Sequence, residues 1–185
     1  LAAAVLAANT RTVVVLQTGG PAEMPWIAQA PAVLQAWYPG QEAGHAISDV
    51  LFGISEPGGR LPQTFPVRLE DNPTYSQDPE IYPGLDGRVR YEEGLFTGHR
   101  HHDKTGIVPL FPFGHGLGYT TFELGGLTGS VTSAGADFQV QVTNTGSCRG
   151  STVVQLYLGP DPVPAGRPRR QLRAFAKVTL DAGAT

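Results

Sequence analysis

The sequence predicts an α/β layered unit, the rear half of a parallel sandwich, followed by an all-β sandwich, with both parts incomplete. Three observations carry this. Val13-Val14-Val15-Leu16 is an apolar run without alternation, the pattern of a strand covered on both faces in a parallel sheet flanked by helices. Ala43, Ala46, Ile47, Val50 and Leu51 fall at i, i+3, i+4, i+7 and i+8, which gathers them on one face of a helix. From Tyr119 onward the helical period disappears, and Phe138, Val140 and Val142 alternate with Gln139 and Gln141 as on a half-exposed antiparallel strand.

Taken in order, Leu1 to Ala8 reads as the closing turns of a helix. It carries neither an N-cap nor a first turn, and it lacks the basic flank of a signal segment, so a piece of a longer protein is expected. Thr12 to Gln17 is the first strand, ended by Thr18-Gly19-Gly20-Pro21. This is no phosphate loop: Gly-x-Gly-x-x-Gly is absent, no Lys-Ser/Thr follows, and Pro21 removes an amide donor. A short crossover through Met24-Pro25-Trp26 leads to the second strand, Ala32 to Tyr38, stopped by Pro39-Gly40. The helix over 43–51 follows, with Gly53 placed to take the left-handed cap position.

Between Pro66 and Pro112 periodicity is weak and breakers are frequent: Asn72-Pro73, Asp78-Pro79, Tyr82-Pro83-Gly84 and Asp86-Gly87. A long irregular stretch in a compact protein is functional or a linker. Tyr75, Tyr82, Tyr91 and Phe96 predict that this one packs against something. His99, His101, His102 and Asp103 form the one cluster of metal-ligating residue types, and on a strand His99 and His101 share a face. Metal sites need three or four converging ligands and no other histidine is close in sequence. The cluster therefore reads as a polar strand end closing in a turn at Asp103 to Gly106, with no metal assigned. In the Pro109 to Phe122 stretch, glycines 114, 116 and 118 allow close backbone approach. His115 there reads as a buried, hydrogen-bonded histidine fixing the junction.

Strands are expected at Thr120 to Leu124, Leu127 to Val131, Phe138 to Thr143, Thr152 to Leu158 and Leu172 to Leu180, with Asn144-Thr145-Gly146 as a hairpin turn. This spacing is that of an immunoglobulin-like or fibronectin III-like sandwich. Ending at Asp181 to Thr185, it would leave an unpaired edge. The expected division is 1–66 for the α/β part, 67–118 for an irregular connecting segment and 119–185 for the sandwich.

Composition narrows the partners. A 41% hydrophobic content supports a core, while 24 glycines and 16 prolines predict many turns. Thirteen basic against sixteen acidic residues, with no basic run, make nucleic acid and anionic membranes poor partners. No apolar run approaches a membrane span. The single Cys148 excludes an internal disulfide framework and a cysteine-based zinc site, and its turn setting without a nearby histidine reads as a bland thiol.

Trp37-Tyr-Pro-Gly-Gln-Glu42, Ala46-Ile-Ser-Asp-Val-Leu-Phe-Gly53 and Gly59-Arg-Leu-Pro-Gln-Thr-Phe-Pro66 resemble the C-terminal α/β domain of family 3 glycoside hydrolases, β-glucosidases and β-xylosidases among them. Tyr91 to Arg100 resembles the motif that leads to that family's last domain, with His99 where a Tyr usually precedes the Arg. Phe111-Pro-Phe-Gly-His-Gly-Leu-Gly-Tyr119 matches its junction motif, with Gly118 in place of the usual Ser. Val142-Thr-Asn-Thr-Gly146, Gly150 to Leu158, Arg167-Pro168 and Leu172 to Leu180 resemble its fibronectin type III-like domain. The resemblance implies a C-terminal part of a retaining, cofactor-free β-glycosidase acting on β-linked glucosides or oligosaccharides. It also implies a barrel domain as N-terminal partner, with the nucleophile aspartate and the acid/base both upstream of Leu1. The chain alone is then scaffold and inactive. The alternative is a non-catalytic carbohydrate-binding or adhesion module with the fibronectin III-like fold. A small α/β hydrolase is disfavoured, since no Gly-x-Ser-x-Gly elbow exists.

Retaining hydrolysis needs two carboxyl groups roughly 5 Å apart. Glu92 and Glu93 point apart in an extended chain, and Glu42 and Asp49 lie two helical turns from each other. Glu23, Glu56, Glu70, Asp71, Asp78 and Glu80 sit in loops. No catalytic, substrate-binding or metal residue is assigned. The loops Thr18 to Trp26 and Trp37 to Gln41 lie at the carboxyl ends of the strands, where α/β sheets bind ligands. Trp26 and Trp37 there suit helix packing better than sugar stacking. The Tyr75 to Arg100 excursion is expected at the border of an active-site mouth.

Overall fold

The computed structural model describes residues 1–185. Helix α1 (Ala2–Ala8) leads through Asn9, whose Oδ1 accepts the Arg11 N–H, into strand β1 (Val13–Leu16). A 3-10 turn at Ile27–Gln29 precedes strand β2 (Ala32–Gln35), which pairs with β1 in parallel, Val14 opposite Val33. The second strand is thus shorter than the Ala32 to Tyr38 read from sequence. Trp37 takes a left-handed φ of 53°, which no strand can contain, and turns the chain away after Ala36 bonds Leu16. The strand expected to be covered on both faces is only half-buried, with Val13 49% exposed, because β2 is its one paired neighbour in this chain.

Helix α2 (Ala43–Leu51) occupies the span its periodicity predicts, and Gly53 has φ 73° just beyond it. Its stripe is only partly covered: Ala43, Ile47 and Val50 are half-buried while Ala46 and Leu51 face solvent. The tightest packing lies after it. Phe65, 1% exposed, meets Trp37 and Phe111 edge-on at 5.9 and 6.4 Å. Around it two distant stretches zip together. Phe65 N–H donates to Phe111, Leu110 N–H returns to Phe65, Leu61 N–H donates to His115 and Gly114 N–H to Leu61. The Gly59–Pro66 and Phe111–Tyr119 motifs are therefore two sides of one backbone-bonded seam.

The region expected to be irregular holds a 3-10 turn at Leu69–Asp71 and a helix, α3 (His99–Thr105). The histidine-rich run is thus helical, not a strand end. Gly98 (φ 52°) and Gly106 (φ 73°) bracket it, and the Gly106 N–H caps His102. His99 and His101 stand about 200° apart around a helix, so they do not share a face. No three His, Cys, Asp or Glu side chains come together in a metal-holding group.

The all-β part has four strands: β3 (Phe122–Thr132), β4 (Gly135–Asn144), β5 (Gly150–Leu158) and β6 (Gln171–Leu180). They form two antiparallel pairs, β3 with β4 and β5 with β6. Two strands expected on either side of Gly125-Gly126 are one, broken by a bulge between Gly125 and Thr128 where Gly126 takes φ 62°. The expected hairpin at Asn144–Gly146 is a corner between the two sheets, since β4 and β5 do not pair. No helix is long and apolar enough to cross a membrane.

Candidate functional site

The seam presents a polar cleft of about 580 Å³ on the side of the β1 carboxyl end. Pro21, from the loop after β1, contributes to its rim, and Gln63 and Thr64 reach it from the seam. Asn72 stands on one wall; His99 and Arg100 stand on another. Each wall is fixed locally. Asp71, 5% exposed, accepts both the Arg68 N–H and its guanidinium (3.3 and 3.0 Å), which closes the 3-10 turn and holds the Asp71 carboxyl below the usual range. Asn72 Oδ1 accepts the N–H and hydroxyl of Thr74, the Asx arrangement its Asn-Pro context favours.

His99 packs its ring 5.3 Å from Phe113 and meets Tyr157 edge-on at 5.9 Å. Burial lowers its pKa against the pull of Asp103, so the imidazole is held neutral. His102 Nδ1 lies 2.9 Å from the Ile107 carbonyl, which makes that nitrogen the donor. His99 Nε2 and Thr64 Oγ1 are both buried without a hydrogen-bond partner. A neutral imidazole, a hydroxyl and a carboxamide suit a hydroxyl-bearing ligand. No carboxylate lines the cleft, so its walls supply neither a nucleophile nor an acid.

Several of the acids are engaged elsewhere. Asp78, Glu80 and Glu92 surround the Arg90 guanidinium and staple the excursion loop. Glu42 pairs with His45, Glu23 accepts the Leu69 N–H, and Glu56 accepts the Ser151 N–H at 2.7 Å. Trp37 packs on Phe65, and half-buried Trp26 caps the first 3-10 turn; neither lines the cleft. Arg100 does, as does Pro21, so two of the loops singled out in the sequence meet there. Thr64 and Asn72 carried no signal beyond their motif and turn context.

The junction histidine differs from expectation. His115 is half-buried, its ring stacks on Phe111 at 4.9 Å, and its backbone oxygen, not its imidazole, makes the fixing bond to Leu61. Burial and neighbouring Arg60 lower its pKa. A Cβ at Gly116 would lie 2.5 Å from the Gly59 carbonyl, so that glycine is required by close backbone approach, while one at Gly118 would have to push aside the Glu56 carboxylate at Oε1. Cys148 is half-buried, its thiol 3.4 Å from the Tyr119 carbonyl.

The profile of the glycosyl hydrolase family 3 C-terminal domain matches residues 1–119. The chain belongs to that family. A fibronectin type III-like domain profile matches residues 152–185, which agrees with the α/β then β order of the fold. A β-glucosidase of Rhizobium radiobacter is 58% identical over 98% of the chain, which spans 23% of that relative. A probable β-glucosidase I of Aspergillus terreus is 47% identical over 97%, and there the chain spans 22%. Among solved structures, DesR, a β-glucosidase from Streptomyces venezuelae in complex with D-glucose, superposes with a TM-score of 0.92 at 43% identity, covering 99% of this chain and 24% of its own. A β-glucosidase from Kluyveromyces marxianus in complex with glucose gives 0.85 at 41% identity, covering 97% and 21%.

Proposed function

We propose that this family 3 chain serves a retaining β-glycosidase of the β-glucosidase type as structural support, and that the reacting carboxylates belong to the rest of the relatives' length. One observation carries the reading: the chain follows β-glucosidases along 98% of its length while the polar cleft on the β1 side has no carboxylate. A retaining mechanism requires two. The substrate would be a β-linked glucoside or oligosaccharide, no cofactor is needed, and a barrel domain would complete the site. Residues 1–66, 67–118 and 119–185 are the proposed units, the middle one carrying α3 and, in Phe111 to Gly118, most of the second side of the seam that bonds back to Gly59–Pro66.

The test is a transplant. Replacing the matching segment of the Rhizobium radiobacter β-glucosidase by these 185 residues is expected to preserve hydrolysis of nitrophenyl β-glucoside. The 185-residue chain alone is expected to give no turnover. Turnover by the isolated chain overturns the proposal, and so does a well-folded but inactive transplant. In the active transplant, Arg100→Ala is expected to raise KM if the polar cleft borders the sugar site; an unchanged KM removes the cleft from that role.

A further inference from the structure

A second cleft, of about 430 Å³, lies between the segment carrying Phe96 and the last turn of α3 on one side and the β5–β6 connection on the other. Its walls are Phe96, Lys104, Val163, Gly166, Arg167 and Arg169. Three of the six are cations, and none of the three makes a salt bridge or a side-chain hydrogen bond. Asp103, next to Lys104 in sequence, is already held by Arg170 through two bonds of 2.8 Å, and is not among the walls. The concentration of unpaired positive charge stands out on a chain whose net charge is -3. Like charges drawn into one concavity repel each other, and an anion between them removes that cost.

The remaining walls define the shape of the occupant. Lys104 Nζ lies 4.1 Å over the Phe96 ring, which fixes one cation above an aromatic floor. Phe96 and Val163 add apolar surface. Gly166, at φ 72°, turns the loop so that Arg167 and Arg169 both reach the cleft. Arginine forks match the paired oxygens of phosphate and carboxylate groups. The volume exceeds that of a bare oxyanion.

We propose that this cleft binds an oxyanion carried on a small organic body, such as a phosphorylated or carboxylated sugar. The site is independent of the glycosidase reading. The test titrates the 185-residue chain with glucose 6-phosphate, glucuronate, inorganic phosphate and glucose, following backbone amide shifts of Gly166 and Phe96. Saturable binding of at least one sugar anion, weakened by added salt and absent for glucose, is expected. Inorganic phosphate reports on the oxyanion alone, and its weaker binding is expected to measure the contribution of the body. Arg167→Gln and Arg169→Gln should each weaken binding about tenfold, the loss of one charge-assisted contact. Both side chains are exposed and should leave the melting temperature unchanged; Lys104→Gln, also exposed, gives an independent reading. No saturable binding of any anion overturns the proposal, as does binding that survives all three substitutions.

Discussion

Asn144 is the fully buried polar side chain of the β part, at 0% exposure, and all of its hydrogen-bonding capacity is spent on the corner between the two sheets. Its Nδ2 donates to the carbonyls of Cys148 and Leu180, and its Oδ1 accepts from the Thr120 hydroxyl at 2.6 Å and the Gly146 N–H. An Asn-Thr-Gly triplet is a hairpin signal in isolation because Asn and Gly tolerate turn geometry. Here the same side chain instead ties together β3, β5 and β6 near their ends. Asn144→Ala should therefore cost about 3 kcal/mol, since several buried partners lose their bonds at once. Urea unfolding would measure it. A loss no larger than that of an ordinary exposed Asn→Ala change would refute this role.

At the scale of elements, the seam of Gly59–Pro66 with Phe111–Tyr119 and its contact with β5 hold the two halves together. Glu56 Oε2 bonds the Ser151 N–H, while Oε1 is buried without a partner against Gly118. Gly118→Ala must displace that carboxylate, and about 2 kcal/mol of stability should be lost. In a Glu56→Ala background the loss should shrink by about 1 kcal/mol or more, because the obstructing oxygens are gone. Strict additivity in that double-mutant cycle would show that the two residues do not meet. Periodicity located α2 because a half-covered helix still needs one apolar face. It could not locate α3, whose seven residues His99–Thr105 have no apolar stripe and are held by glycines at both ends and by ring packing of His99. The Gly125-Gly126 pair misled for a related reason: a bulge and a turn need the same permissive backbone, and only the partner strand distinguishes them.

Across the whole molecule, His99, His101 and His115 share one electrostatic property. Burial is the leading cause of a lowered pKa in each. The folded chain therefore resists protons that the unfolded chain accepts as the pH falls through 6.5. Their contribution to stability is complete above that value and declines as the pH drops toward the lower folded values. The melting temperature should accordingly fall on acidification below 6.5, and His99→Gln with His115→Gln should flatten the decline. A profile unchanged by both substitutions would place the acid sensitivity elsewhere. Both histidines pack on aromatic rings of the seam and junction, Phe113 for His99 and Phe111 for His115, so acid should loosen the join before the β pairs.

The sequence by itself determined the order of an α/β part and a β part, the span of α2, and the family, because helical period, apolar runs and contiguous motifs are local properties of the chain. Tertiary structure alone decided that residues about fifty apart form one seam, that the histidine run is a helix, that the Asn144 turn is a corner, and that Lys104, Arg167 and Arg169 converge. Those facts depend on which distant backbone or side chain fills the neighbouring space, and no local pattern encodes that.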